Sequence, residues 1–313
     1  MLEFFKSTNY NFIKNWGVAT GFSLVVIVSS LIFTFATGGF NYAVDFTGGT
    51  LTQVKFKNTV DDKELAKIRS VLQDMEIAPN VKISKPEVKN IGPKTDNELQ
   101  ITVKEKFEGT VLQEKIREAL TQNYGENPFE LRRQELVGPK IGKELKTNAI
   151  VAVILAMIAL LIYVGVRFSL PFAFAAVVPI FHDVVIALAP MLFIKSELSL
   201  ATIAALLTIA GYSLNDTIVI FDRIRENIRA NGLRNHSFFD LVNTSINQTL
   251  SRTIITFTAM IIVVAMLFFF GGEAIKDFSL PMFAGTIAGV YSTIYIASPI
   301  LVWWNKKWPI TKV

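Results

Sequence analysis

Asp216 is the residue whose setting most constrains the chemistry of this chain. It lies in Gly211-Tyr212-Ser213-Leu214-Asn215-Asp216-Thr217-Ile218-Val219-Ile220-Phe221-Asp222, towards the end of a long apolar run that starts near Ser199. A run of that length can cross a bilayer. A charged side chain inside such a span costs about 2.5–3.5 kcal/mol on the insertion scale. A chain that keeps one uses it to move a proton or ion, or to clamp a neighbouring helix through hydrogen bonds. Asp216 sits seven residues, ~10 Å of helix, before Arg223, with Ser213 and Asn215 as polar neighbours.

Two other polar features fall within apolar runs. Arg252 opens one of them in Gln248-Thr249-Leu250-Ser251-Arg252-Thr253. An arginine keeps its charge and so donates no proton. It either tunes a nearby carboxylate or snorkels to the membrane surface. His182-Asp183 lies near the middle of another run, as a proton-handling pair or as a buried polar pair joining helices.

The rest of the composition narrows the field. The 313 residues are 51% hydrophobic and only 18% charged, below the roughly 25% of soluble domains. There is no cysteine, so thiol and disulfide chemistry are excluded. His182 and His236 are the only imidazoles, which argues against a histidine-rich metal site. No nucleophile–base or metal constellation points to an enzyme, and the only coupling species implied is the proton. The net charge of +5 is spread over membrane flanks, which favours contact with anionic lipids over nucleic acid.

Six apolar runs are candidate spans: Val18–Ala36, Thr147–Val166, Leu170–Ile194, Ser199–Phe221, Thr253–Phe270 and Leu280–Trp304. The first is too long for a signal-peptide core and lacks a clear cleavage site, so it is expected to be an uncleaved anchor. Pro171, Pro179 and Pro190 punctuate the third span and Pro281 suits the start of the sixth. Six spans put both termini on one side. Lys6, Lys14, Arg167, Arg223, Arg225, Arg229, Arg234, Lys306, Lys307 and Lys312 all fall on that side, and the opposite short loops carry only Lys195 with Glu197 and Lys276 between Glu273 and Asp277. The positive-inside rule makes it the cytoplasmic side. Trp16, Trp303, Trp304 and Trp308 fit an aromatic belt there. The expected division is an N-terminus and first helix over residues 1–40, an extracytoplasmic domain over 41–146, a five-helix membrane domain over 147–305 and a tail over 306–313.

Residues 41–146 carry 18 Lys/Arg against 17 Asp/Glu, the balance of a translocated soluble domain. Leu51–Phe56 and Leu99–Val103 alternate like strands, Val81–Ile83, Glu87–Ile91 and Phe129–Val137 are extended, and Thr59–Asp74 and Thr110–Gln122 have helical periodicity. Thr59 with Asp62, and Thr110 with Gln113, are spaced as capping boxes. The order β-α-β-β-α-β predicts a ferredoxin-like α+β sandwich. Two glycine-containing segments join it to the membrane. Asp45-Phe46-Thr47-Gly48-Gly49 follows the first span and Val137-Gly138-Pro139-Lys140-Ile141-Gly142-Lys143-Glu144-Leu145 precedes the second. Each reads as a hinge or as an ordinary linker. Gly285 and Gly289 have the spacing of a helix-packing motif. Ser237 and Asp240 cap an amphipathic segment, expected as a separate interfacial helix before the fifth span, and Gly232 is expected to end the fourth.

Taken together, Asp45–Gly49, Val137-Gly138-Pro139 through Glu144-Leu145, and above all Ser213 through Asn227 resemble the SecF family of Sec translocase subunits, within the resistance-nodulation-division superfamily. The resemblance covers essentially the whole chain. It implies an α-helical polytopic membrane protein of six spans with a ferredoxin-like domain after the first, in the bacterial cytoplasmic (inner) membrane. It also implies an accessory role with SecD, using the proton gradient to draw unfolded preproteins out of SecYEG, with YajC and YidC as further partners. Asp216 and Arg252 would belong to the proton path, completed by a SecD carboxylate. Asn215, His182 and Asp183 are secondary candidates. The alternatives are a small-molecule proton-coupled exporter of the same superfamily, or a scaffold that only steadies the translocon.

Overall fold

The computed structural model describes residues 8–73, 75–78, 81–83, 86–91, 96–104, 111–231, 237–271 and 273–310. Six helical stretches are long and apolar enough to cross a membrane. They contain α1 (Trp16–Thr37), α5 (Pro139–Arg167), α6 (Leu170–Phe193), α7 (Leu200–Asn231), α8 (Phe238–Phe270), and α9 (Glu273–Ser292) continued by a π-helical turn (Thr293–Ala297) into α10 (Ser298–Lys307). In the most apolar windows of α6, α7 and the last stretch, half or more of the residues are buried, against 11% for α1, α5 and α8. The first set therefore forms the centre of the bundle and the second leaves broad apolar faces outward. The largest apolar cluster joins Phe172, Ile180, Phe221, Ile224, Val242 and Leu301 across α6, α7, α8 and α10.

The sheet-bearing domain, called the outer domain below for its expected side, begins after Gly38, whose φ of 81° ends α1 in the left-handed conformation that glycine adopts without strain. A two-residue strand, β1 (Asn41–Tyr42), and a single turn, α2 (Val44–Thr47), lead into β2 (Gly49–Phe56). Then come α3 (Asp62–Leu72), β3 (Glu76–Ala78), β4 (Val81–Lys82), β5 (Glu87–Ile91), β6 (Glu98–Val103), α4 (Val111–Asn123) and β7 (Phe129–Val137). Four strands form an antiparallel sheet in the order β5-β6-β2-β7, the order of a ferredoxin-like sandwich. The alternating residues Val54 and Phe56 of β2 and Leu99, Ile101 and Val103 of β6 face Ile68, Leu72, Leu112, Ile116 and Leu120 of α3 and α4. The expected β-α-β-β-α-β order thus stands, with a short β3–β4 hairpin added between α3 and β5.

The capping box of α3 uses Asp61 and Glu64, not Thr59 and Asp62. Asp61 Oδ1 accepts from Glu64 N–H at 2.8 Å and Glu64 Oε2 accepts from Asp61 N–H at 3.0 Å. A carboxylate is the stronger acceptor at a helix N-terminus, and it fixes the start two residues later. Thr110, on which the Thr110–Gln113 box rests, lies outside the described residues, as does Gly232. Residues 139–146 are helical, so one helix runs through the 146/147 boundary. Pro139 occupies its first position and Gly142 alone does not break it. The amphipathic segment after Ser237 is the first part of α8, with no Gly or Pro to separate it from the span. Phe238, Leu241, Val242 and Ile246 pack into the protein and not onto a lipid surface. Ser237 Oγ does accept from Asp240 N–H at 3.1 Å, as the cap spacing predicts.

Candidate functional site

Asp216 projects from α7 towards α8 and is 6% exposed. Its Oδ1 accepts a hydrogen bond from Thr253 Oγ1 at 2.9 Å. Its Oδ2 is buried with no hydrogen-bond partner. A structural clamp at membrane depth should satisfy both oxygens, because an unpaired buried acceptor costs about 1–3 kcal/mol. Asp216 is therefore half-satisfied, with one oxygen left for a proton or an incoming group. Arg252 precedes Thr253 on α8. It is exposed and forms no ion pair with Asp216 within 4.0 Å, although its charge acts on the carboxylate through space. Asn215 is exposed on the next position of α7, away from Asp216's hydrogen bond.

A second polar centre lies between α6, α7 and α9, less than one turn of α7 from Asp216. Asp183, on α6, is fully buried. Its Oδ2 accepts from Ser213 Oγ of α7 at 2.6 Å and from Ser292 Oγ of α9 at 2.8 Å, and its Oδ1 meets His182 Nδ1 at 2.9 Å. His182 Nε2 in turn meets Ser23 Oγ of α1 at 2.9 Å. Ser23 lies 3.1 Å from the Tyr291 hydroxyl, which donates to the Ala19 carbonyl. His182 and Asp183 thus tie α1, α6, α7 and α9 together, and they share no hydrogen bond with Asp216.

Gly285 and Gly289 explain how α7 comes so close to α9. A Cβ on Gly285 would collide with the Ile209 side chain, and one on Gly289 would stand 3.2 Å from Ser213 Cβ. The two glycines let α7 seat Ser213 against Asp183. One turn further, Thr217 Oγ1 and Thr293 Oγ1 lie 3.1 Å apart at the start of the π-helical turn.

The two segments joining the domains meet each other. Gly142 passes over the Phe46–Gly48 turn so closely that a Cβ would stand 2.9 Å from Gly48 N. Gly48 (φ 74°) lies against Pro139, and a Cβ on Gly49 (φ 139°) would strike the Val103 carbonyl. Gly138 has open space around it. Asp45 reaches across to the membrane domain, where its Oδ2 accepts from Leu200 N–H at 2.9 Å. It satisfies an orphan donor at the start of α7, the helix that carries Asp216.

The α6–α7 loop supplies a further contact. β8 (Glu197–Leu198) pairs in parallel with β1. The Glu197 carboxylate is buried beneath the outer sheet, 3.0 Å from Lys104 Nζ and 3.8 Å from Lys89 Nζ. Burial, then a hydrogen bond with Glu87, raises its pKa to about 7 against the opposing pull of Lys89. Burial acts the same way on Glu87, but the hydrogen bond with Glu197 and the charge of Lys89 outweigh it and hold Glu87 below its ordinary value. Sequence reasoning treated Glu197 only as a loop charge. The signal available was an acid alone between two spans.

Comparison with known proteins decides the family. The model of the SecD/SecF C-terminal region of protein export membrane proteins matches residues 116–307, and that of the SecD/SecF GG motif matches residues 33–60, which include Asp45–Gly49. The protein translocase subunit SecF of Gemmatimonas aurantiaca is 37% identical, over 99% of this chain and 91% of its own length. That of Pseudomonas aeruginosa is 38% identical, over 94% and 91%. The chain belongs to the SecF family.

The crystal structure of SecDF from Thermus thermophilus, described as a translocon-associated membrane protein, shares the fold of this SecF-family chain. Its TM-score is 0.80 at 34% identity, over 96% of this chain. SecDF in a super-membrane-facing form gives 0.70 at 33% identity. The chain spans 39% of the length of the first of these and 40% of the second. As a member of the family it is a multi-pass membrane protein and a protein translocase subunit. Sequence reasoning had set Ser213 beside Asp216, whereas it bonds Asp183, and had missed Thr253, Ser292 and Ser23 as partners of the buried acids. Isolated Ser and Thr in apolar spans usually bond back to their own helix, as Thr34 does to Ser30 O, so spacing alone did not mark them.

Proposed function

We propose that this chain works with SecD in the bacterial inner membrane, both termini cytoplasmic, and uses the proton gradient to help draw preproteins out of SecYEG. Asp216 takes up and releases the proton. The observation that carries this reading is its buried, unpartnered Oδ2, beside a single hydrogen bond from Thr253. Arg252, exposed one residue from Thr253, biases the carboxylate as helices shift, and a carboxylate of SecD completes the path. YajC and YidC are further members of the assembly, and anionic lipids surround its basic flank.

Each charge crossing with the gradient releases about 2.3 kcal/mol per 100 mV. One proton therefore supplies a modest stroke, enough to reorient a domain of about a hundred residues but not to unfold a stable passenger. The outer domain would pivot about the Asp45–Gly49 and Gly138–Gly142 segments.

The test is Asp216→Asn in the complete SecD-containing complex. The variant should insert and co-purify with its partners yet lose gradient-stimulated preprotein export from membrane vesicles. Export that still responds fully to an imposed gradient defeats the reading and leaves a scaffold.

A further inference from the structure

α7 has one direct tie to the base of the outer domain, the Asp45 carboxylate on Leu200 N–H, but the proton reading of Asp216 leaves open how α1, through which that domain is entered, follows α7. We propose that Asp183 is a positioning residue that locks α7 to α1, so that a movement of α7 set by Asp216 is passed to the outer domain through Asp183, His182 and Ser23. The inference rests on the proposed function for its trigger but makes a separate claim about the route.

Three observations converge on it. First, Asp183 receives hydroxyl donors from α7 and α9 and touches a histidine whose far nitrogen reaches α1, so one carboxylate links four helices. Second, α1 has few other polar ties within the bundle, although the residues before it are held to α8 by hydrogen bonds of Tyr10 and Phe12 with Asn243 and Asn247. The buried side chains of α1 are Ser23 and Ser30. Ser30 bonds back to Val26 O within α1, as Ser29 does, while Thr34 and Thr37 bond to Ser30 O and Phe33 O. Among the described residues, the hydrogen bonds between α1 and the other spans are those of Ser23 and of Ala19 O with His182 and Tyr291. Third, Ser213 and Asp216 lie three residues apart on one unbroken helix, so rotating or sliding α7 moves both at once.

The downstream end is equally direct. α1 ends at Gly38 and enters β1, which pairs with β8, then the Phe46–Gly48 turn under Gly142, then β2 at the centre of the outer sheet. A shift of α1 relative to α6 therefore changes the attachment of the outer domain. The bland reading of Asp183 is a static brace. A brace affects stability but not the response of the outer domain to Asp216. Only a measured coupling separates the two.

The chain has no cysteine, so two can be introduced as unique labelling sites. Arg117→Cys lies on the exposed side of α4 and Ile194→Cys lies exposed at the end of α6. Spin labels at these positions, in the complex with SecD reconstituted into vesicles, report the separation of the outer domain and the membrane domain by pulsed electron resonance. Asp216→Asn should shift that distance distribution. The shift should shrink at least twofold in Asp183→Asn and in Ser23→Ala, the ties of Tyr291 to Ala19 O and of Asp45 to Leu200 N–H being left in place, and return in Ser23→Thr. Because Asp183→Asn can fail to insert, Ser23→Ala is the deciding variant; it removes one link and leaves no unpaired charge. An equal shift with and without these changes overturns the route while leaving the export role of Asp216 untouched. No shift from Asp216→Asn in the unaltered background also overturns it, and export is then judged on the vesicle assay alone.

Discussion

The carboxylates of α6 and α7 differ in how completely they are satisfied. Asp183 holds two hydroxyl donors and a histidine within 2.9 Å. Asp216 holds one hydroxyl and keeps the other oxygen bare. Thr253 is then the residue whose loss should matter out of proportion to its size. Thr253→Val keeps the shape and removes the donor, which costs about 1–3 kcal/mol where an acceptor is left buried and unpaired. The expected outcome is a several-fold loss of gradient-stimulated export in vesicles with normal assembly, and near-complete recovery in Thr253→Ser. A Thr253→Val complex exporting at the unaltered rate would show that Asp216 functions without this bond. Asp216 was legible in the sequence because a lone acid in an apolar run is conspicuous by composition. Its partner was not, because a threonine 37 residues away gives no sign of which helix it faces.

Packing of whole helices sets where these residues meet. Gly285 and Gly211 offer a contrast within the same pair of helices. A Cβ at Gly285 meets Ile209 of α7, whereas one at Gly211 meets nothing within 4 Å. Gly285→Ala should therefore destabilise by about 1–3 kcal/mol, the usual cost of overpacking a core. Gly211→Ala should stabilise by roughly 0.5–1 kcal/mol, since alanine is the better helix former. Thermal unfolding in detergent reads both, and equal effects would contradict the helix contact. At this scale the six spans and the small outer sheet were legible, because each bilayer crossing needs its own twenty or so apolar residues and each strand alternates. The π-helical turn at Thr293–Ala297 was not legible. An extra residue in one turn leaves the apolar pattern intact, and the packing of Thr217, Thr293 and Ser298 decides it. The continuous α8 was missed for a related reason. A helix that leaves the membrane and packs on its own protein keeps an amphipathic face that resembles a surface helix.

For the molecule as a whole, the outer domain and the membrane domain share a small charged interface, and its chemistry gives a pH dependence. Glu197 is buried against Lys104 and Lys89, with Glu87 hydrogen-bonded beside it. Asp277 of α9 also acts on Lys89, whose pKa is raised because the attraction of Glu197 and Glu87 exceeds the effect of burial. In the docked arrangement Glu197 holds its proton up to about pH 7. Lifted away into water, it would hold it only to the ordinary carboxylate range, near 4.3. Docking therefore takes up a proton between those values. The contribution to docking is fully present below the lower pKa and is lost as pH rises through about 7. In the orientation proposed above, this interface lies on the side that a proton-pumping membrane keeps acid, so the outer domain should sit most firmly when the gradient is largest. Distances between labels on α4 and the α6–α7 loop, measured from pH 5 to pH 8.5 with no gradient imposed, should broaden or lengthen with a midpoint near 7. Glu197→Gln, which keeps the shape and never ionises, should hold the short distance throughout. A midpoint unmoved by Glu197→Gln would place the sensing group elsewhere, and a distance constant across the range would mean that the contact carries no pH information at all.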